Sequence, residues 1–146
     1  MEQINLLDSK NIKTVHFIGI GGISMSGLAE ILKNIGYTVS GSDMKASNMT
    51  EKLERDGIKI HIGHSEENID NCDLVVYTAA VKENNSELVK ARQLGITTIE
   101  RAVLLGQIMK KYPFSLAISG THGKTTTTSM VSMIMLESNL DPTIHI

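Results

Sequence analysis

Short apolar runs, most of them rich in β-branched residues, recur along this chain at 14–19, 38–42, 58–62, 73–78, 97–99 and 114–119. The stretches between them space their apolar residues as helices do. Ile23, Leu28, Ile31, Leu32 and Ile35 form the first such set, Met49 and Leu53 follow, then Leu88 and Leu94, and finally Val103, Leu104, Leu105, Ile108 and Met109. Strands that read as nearly continuous apolar runs are covered on both faces. Parallel strands joined by right-handed crossovers place helices there. The expected fold class is therefore α/β, a Rossmann-like parallel sheet with helices on both faces. Gly36, Gly57 and Gly95 punctuate the helical stretches where a left-handed cap is cheap.

The pattern breaks at Lys110, Lys111, Tyr112 and Pro113, where basic residues and a breaker close a helix. A new strand, loop and helix unit begins at Phe114, so residues 1–112 are expected to form one domain and 113–146 the beginning of another. That second unit runs through a helix over about 124–138 and a turn at Asn139, Asp141 and Pro142. It then reaches Thr143, Ile144, His145 and Ile146, which read as a strand just starting. A strand needs neighbours for its backbone groups and faces, so the chain is expected to be a fragment.

Composition narrows the function classes. With 146 residues and 41% hydrophobic content the chain can bury one ordinary core. Its 14 basic and 16 acidic residues are scattered and give a formal charge of -2, which offers no footprint for nucleic acid or an anionic membrane. Small molecules are the expected partners. No apolar run approaches the roughly 20 residues of a membrane helix, and residues 1–10 lack a secretory layout, so a cytoplasmic location is expected. Cys72 is the single cysteine, without a disulfide partner or metal-ligand spacing, and reads as an ordinary residue at a strand entrance.

Two strand-to-helix turns carry the chemistry. In the second unit, an apolar run enters Ser119-Gly-Thr-His-Gly-Lys-Thr-Thr126 and then a helix. Backbone N–H groups at a helix start cradle phosphate oxygens, and Gly120 and Gly123 allow the turn that aims them. Lys124 would reach the β and γ phosphates, the Thr125 hydroxyl would ligate the bridging magnesium, and Thr126 would add a donor. Thr121 and His122 complete the loop, His122 either packing beside the nucleotide or filling a variable position. The loop is shorter than the standard phosphate-loop string, because its leading glycine is Gly120. The alternative is a plain glycine-rich turn with a solvated lysine. These features make the second unit the start of a P-loop ATPase domain.

In the first unit, Val15-His-Phe-Ile18 runs into Gly19-Ile-Gly-Gly-Ile-Ser-Met-Ser-Gly27 and a helix, the place where a doubly wound sheet binds pyrophosphate. Ser24 stands where the dinucleotide fingerprint wants glycine or alanine, which weakens a nicotinamide reading. Asp43 lies 22 residues after Gly21 at the end of the second run, where an acidic side chain can accept from a ribose or a neighbouring ring. Alternatively, Gly19, Gly21 and Gly22 only permit close helix–strand packing. His16, inside its strand, reads as a satisfied structural histidine. Ligands also bind outside the carboxyl ends of strands, which singles out Thr78-Ala-Ala-Val81 and Gly63-His64. Thr78 could instead cap its segment, and His64 could face solvent.

Taken together, 16-HFIGIGGISMSGLAE-30, Gly41-Ser-Asp43, Tyr77-Thr-Ala-Ala-Val81, Glu100-Arg-Ala102 and Ser119-Gly-Thr-His-Gly-Lys-Thr-Thr126 occur in the order and spacing of the muramyl ligases. The chain resembles that family from about residue 12 onward, its L-alanine-adding branch above all. The resemblance implies ATP and Mg2+ as cofactors, and UDP-N-acetylmuramate and L-alanine as partners. In the implied reaction ATP phosphorylates the muramyl carboxylate and the amine of L-alanine displaces phosphate, a step of peptidoglycan precursor synthesis. It implies that residues 19–26, that is the glycine loop with Ile23, Ser24, Met25 and Ser26, face the UDP pyrophosphate. Asp43, His64, Thr78 and Arg101 would contact the rest of the substrate, with local salt bridging as the alternative for Arg101. Lys124 would be the catalytic cation. This stretch alone is expected to bind the UDP-sugar without catalysing. A redox enzyme or sensor holding a nicotinamide dinucleotide is the competing reading, and it leaves the Lys124 loop unexplained.

Overall fold

The computed structural model describes residues 6–8 and 11–146. It divides into two compact units, Met1–Lys111 and Tyr112–Ile146. Within the first, five strands alternate with four helices: β1 (Thr14–Ile18), α1 (Ile23–Asn34), β2 (Thr38–Asp43), α2 (Asn48–Arg55), β3 (Lys59–Ile62), β4 (Leu74–Tyr77), α3 (Ser86–Gln93), β5 (Thr97–Glu100) and α4 (Arg101–Lys111). Short 3-10 turns sit at Leu6–Asp8 and Glu66–Ile69. All five strands are parallel, in the order β3-β2-β1-β4-β5. The α/β expectation and the first five strand positions hold.

Burial follows strand order. The central strands β1 and β4 bury nearly every residue, Val15, Phe17 and Ile18 on one and Leu74, Val75 and Val76 on the other. Burial of consecutive residues requires cover on both faces. The helices supply it through Met25, Leu28, Ala29 and Leu32 of α1, Leu53 of α2, Leu88 and Ala91 of α3, and Leu104 and Ile108 of α4. Each buried leucine, isoleucine or methionine among these contributes about 1.5–3 kcal/mol over its exposed state. The edge strands β3 and β5 are only partly covered, and their mixed sequences, KIHI and TTIE, match that position.

Local signals place the helix ends. Ser47 and Thr50 form a reciprocal capping box at α2, each accepting from the other's backbone N–H. Asn85 caps α3 by accepting from the N–H groups of Glu87 and Leu88. Gly36, Gly57 and Gly95 follow α1, α2 and α3 with positive φ, as the sequence predicts.

The second unit contains one helix, α5 (Lys124–Glu137). Here the structure corrects the sequence reading twice: residues 114–119 and 143–146, expected as strands, form no ladder. A strand exists only through a partner that takes its N–H and C=O groups. Among the described residues of this unit there is no partner strand. Phe114 is 93% exposed, and Met130, Met133, Ile134 and Leu136 of α5 are exposed as well. Among the described residues, no helix is long and apolar enough to cross a membrane.

Candidate functional site

In the first unit the sequence-predicted residues converge on the carboxyl edge of the sheet. β1 ends at Ile18, and Gly19 turns the chain away with φ +83°, a conformation that side chains rarely adopt. Gly19 and Ile20 both donate their N–H to the carbonyl of Ser42 on β2, at 2.8 and 2.9 Å. Gly21 donates to Asp43 Oδ2 at 2.9 Å. The loop is therefore clamped onto the end of β2. Helix α1 starts at once behind it, with no side-chain cap at Gly22 and no acidic residue in the first turn. The N–H groups of its first turn therefore have no capping side chain of the helix's own.

Two glycines are required by close approach. A Cβ on Gly21 would lie 2.8 Å from Asp43 Oδ2 and 3.1 Å from Thr50 Cγ2. A Cβ on Gly41 would lie 2.5 Å from Ile20 Cδ1 and 2.8 Å from the Phe17 carbonyl oxygen. Ile20 is fully buried over that bare patch of β2 and pins the loop from below.

The remaining predicted residues divide by where they point. Met25 and Ser26 are buried, and Ser26 Oγ donates back to the Ile23 carbonyl at 2.9 Å. Their side chains face the protein. Ile23 is 79% exposed, and Ser24 accepts from Arg101 Nη1 at 3.0 Å. Arg101, at the start of α4 beside β5, thus reaches the helix start beside β1. Thr78 lies in the turn after β4, whose Val81 N–H closes onto the Thr78 carbonyl. The loop after β1 and the turn after β4 flank the point where strand order reverses, the position at which open parallel sheets hold ligands.

Glu87 was not singled out by the sequence reading, and it organises the other side of this edge. The Asn85 cap places it in the first turn of α3, fully buried. Its Oε1 accepts from His16 Nε2 at 3.2 Å and Asn68 Nδ2 at 2.8 Å; its Oε2 accepts from Ser42 Oγ and His64 Nδ1, both at 2.6 Å. Four donors match the capacity of a carboxylate. Burial pushes the Glu87 pKa up, but the hydrogen bonds from His16, Ser42 and Asn68 outweigh it and hold the group below its ordinary range. His16 is satisfied on its other side by Ser40 Oγ at 2.9 Å, which makes it the structural histidine the sequence suggested. His64 does not simply face solvent: its Nδ1 is tied into the cluster. A readable signal existed, since a histidine inside an apolar strand needs a polar partner, and Glu87 shares the α3 face of core residue Ala91.

The second loop is built differently. Gly123 takes φ +76° as the N-cap of α5, without a side-chain cap. Lys124 folds back so that Nζ donates to the Gly120 carbonyl at 2.6 Å. Thr121, His122, Thr125 and Thr126 are all exposed.

The model of the Mur ligase family, catalytic domain, matches residues 14–113. The UDP-N-acetylmuramate--L-alanine ligase of Acetivibrio thermocellus is 73% identical over 146 residues, which is 100% of this chain and 31% of that protein. The enzyme of the same name from Alkaliphilus metalliredigens is 60% identical over 138 residues, 94% of this chain and 30% of that protein. Among solved structures, the UDP-N-acetylmuramate-alanine ligase of Thermotoga maritima superposes with a TM-score of 0.80 at 36% identity, over 86% of this chain and 29% of its own. The chain thus spans about a third of the length of the curated relatives it matches.

Proposed function

The chain belongs to the Mur ligase family, and on that premise we propose that its first unit binds the UDP portion of UDP-N-acetylmuramate, in a protein that joins L-alanine to that sugar nucleotide at the expense of ATP. One observation carries the reading: a glycine loop clamped onto β2 by Asp43 and Ser42 stands before an uncapped helix start, with Arg101 held beside it on Ser24. The loop's own amides at Gly19, Ile20 and Gly21 are spent on bracing. A pyrophosphate would therefore meet the first turn of α1 and the Arg101 guanidinium, which together offer a helix dipole and a planar cation. Asp43 has Oδ2 on Gly21 and Oδ1 3.4 Å from Lys45 N. Its first task is to hold the loop, and contact with the ribose comes second.

In the second unit, the left-handed Gly123 and the helix start behind it suit phosphate oxygens, and Lys124 is near enough to leave the Gly120 carbonyl for a phosphate. An exposed threonine hydroxyl is a hard oxygen donor of the kind magnesium accepts, so Thr125 would hold the ion. The ion, when bound, would neutralise charge on the phosphates. Lys124 would stabilise the phosphoryl group passing to the muramyl carboxylate, after which the alanine amine forms the amide and phosphate departs.

Calorimetry of the chain with UDP-N-acetylmuramate, NAD and magnesium ATP tests the first half. Selective binding of the sugar nucleotide that is lost in Gly21→Val supports the reading, and preferential binding of NAD overturns it. The ligase half is tested on the full-length protein, where ATP turnover must depend on both the sugar nucleotide and L-alanine.

A further inference from the structure

We propose that Glu87 is a positioning residue for the glycine loop after β1, fixing through Ser42 the carbonyl on which that loop hangs and so setting how tightly the start of α1 takes a diphosphate. Glu87 is fully enclosed, so it acts on a ligand only through other residues. The inference rests on the sugar-nucleotide reading above and extends it to a residue outside the binding surface.

The link runs through one residue. Ser42 is fully buried near the end of β2, and its two polar groups have different tasks. Its Oγ donates to Glu87 Oε2 at 2.6 Å, while its carbonyl oxygen accepts the N–H groups of Gly19 and Ile20 at 2.8 and 2.9 Å. Ser42 pairs in register with Ile18, the last residue of β1, so these two bonds continue the β1–β2 ladder into the loop. Successive residues of a strand face opposite sides of the sheet. On one side Ile20 covers Gly41, and on the other Glu87 holds Ser42. The loop is thus seated from both faces of β2. The same carboxylate also accepts from His16 on β1, His64 after β3 and Asn68 in the turn Glu66–Ile69. One side chain of α3 therefore holds four segments that meet at the carboxyl edge.

Stability alone does not ask for a carboxylate in that place. Taking a charge out of water carries a penalty that its hydrogen bonds offset only in part, and apolar residues of similar volume often serve a core as well. Four directed bonds supply position instead, because each donor must stand where an oxygen lone pair can receive it. Packing cannot hold Gly19, since a Cβ there would meet nothing within 4 Å, so hydrogen bonding sets its place. Asp43 braces the third amide, at Gly21. A displaced Ser42 carries Gly19 and Ile20 with it, and helix α1 follows directly at Ile23.

The test is a double-mutant cycle on the whole chain. Ser42→Ala removes the hydroxyl and keeps the carbonyl, whereas Glu87→Gln keeps the shape of the side chain and removes its charge. Calorimetry reads the affinity for UDP-N-acetylmuramate, and the amide resonances and hydrogen exchange of Gly19 and Ile20 read the loop without any ligand. Each single variant should weaken binding about tenfold, and the double variant should weaken it by about the same factor rather than about a hundredfold, because both cut one link. Both should shift the two amides and speed their exchange. Ala91→Gly loosens the same helix away from the carboxylate. It should lower the unfolding midpoint while leaving the affinity and the two amides unmoved. Additive losses, or a loss in Ala91→Gly as large as in Glu87→Gln, overturn the inference. If Glu87→Gln fails to fold, Ser42→Ala decides, and unmoved amides at Gly19 and Ile20 in that variant overturn it. A wild-type chain that binds no UDP-N-acetylmuramate overturns the sugar-nucleotide reading and the affinity half of the inference with it. The amides, which need no ligand, then decide whether Glu87 seats the loop.

Discussion

The chain carries two glycine-rich turns that lead into helices, one in each unit, and they are equally plain in sequence but unequally braced in structure. The Gly19 loop is held by Ser42, by Asp43, by the buried Ile20 beneath it, and by Arg101 reaching Ser24. The Gly120–Lys124 loop has local contacts, with Lys124 on the Gly120 carbonyl and Thr127 N–H on the Gly123 carbonyl. A glycine turn supplies a conformation; the neighbouring strand supplies its rigidity. Preorganisation of an anion site is thus a property of the sheet around the loop more than of the loop string.

The largest expected effect follows from that dependence. Gly41→Ala puts a methyl 2.7 Å from Ile20 Cβ and 2.8 Å from the Phe17 carbonyl oxygen, and that backbone oxygen cannot retreat without parting β1 from β2. Overpacking of this kind costs about 1–3 kcal/mol. Urea unfolding should show a lower midpoint for the first unit, and binding of UDP-N-acetylmuramate should fall with it. A stable variant with intact binding would show that Ile20 does not brace the loop.

Much of this was legible in the chain. Strands β1 to β5, the helix ends at Gly36, Gly57 and Gly95, and the role of His16 all follow from residue patterns that depend on near neighbours or on a simple rule of burial. The failures share a cause. Residues 114–119 carry Phe114, Leu116, Ala117 and Ile118 and read as a strand, yet β4 lies between β1 and β5 while 114–119 form no ladder. Apolar character proposes a strand, and pairing decides it. Glu87 escaped notice for the complementary reason: its partners stand 71, 45, 23 and 19 residues away, so the need of His16 for a buried polar partner was readable while the identity of that partner was not.

Hydrogen exchange sharpens the contrast between the units. The amides of β1 and β4, buried and paired on both sides, should exchange only through global opening of the first unit. Those of α5, whose Met130, Met133, Ile134 and Leu136 are exposed, should exchange faster by orders of magnitude. Equal protection would mean that the second unit is as well buried as the first.

Acid separates them as well. The Glu87 pKa is held below its ordinary value of 4.5, so its bonds contribute stability that is fully present above the unfolded-state pKa. That contribution is lost as pH falls through the lower, folded value. Asp73 acts in the same sense and more weakly, because Lys13 N–H, the Thr14 hydroxyl and Thr14 N–H hold its exposed carboxylate below the usual range. The first unit should lose stability as pH falls below about 4.5, and Glu87→Gln should flatten that dependence. An unchanged slope would exclude Glu87 as its source.

The smallest expected effect on stability is at Lys124, and it sharpens the comparison because a null result is informative. Its side chain is exposed and donates to one exposed carbonyl, so Lys124→Ala should change the unfolding midpoint by no more than about 0.5 kcal/mol in free-energy terms. The same substitution in the full-length protein should abolish ATP turnover if the lysine meets the phosphates. Arg101→Met makes the opposite wager, since it removes both a brace on Ser24 and a cation at the first site. It should weaken sugar-nucleotide binding and loosen the start of α1 together. If Lys124→Ala instead destabilises as much as Gly41→Ala does, the second loop is braced by contacts beyond its own residues. The difference between the two turns would then be one of degree.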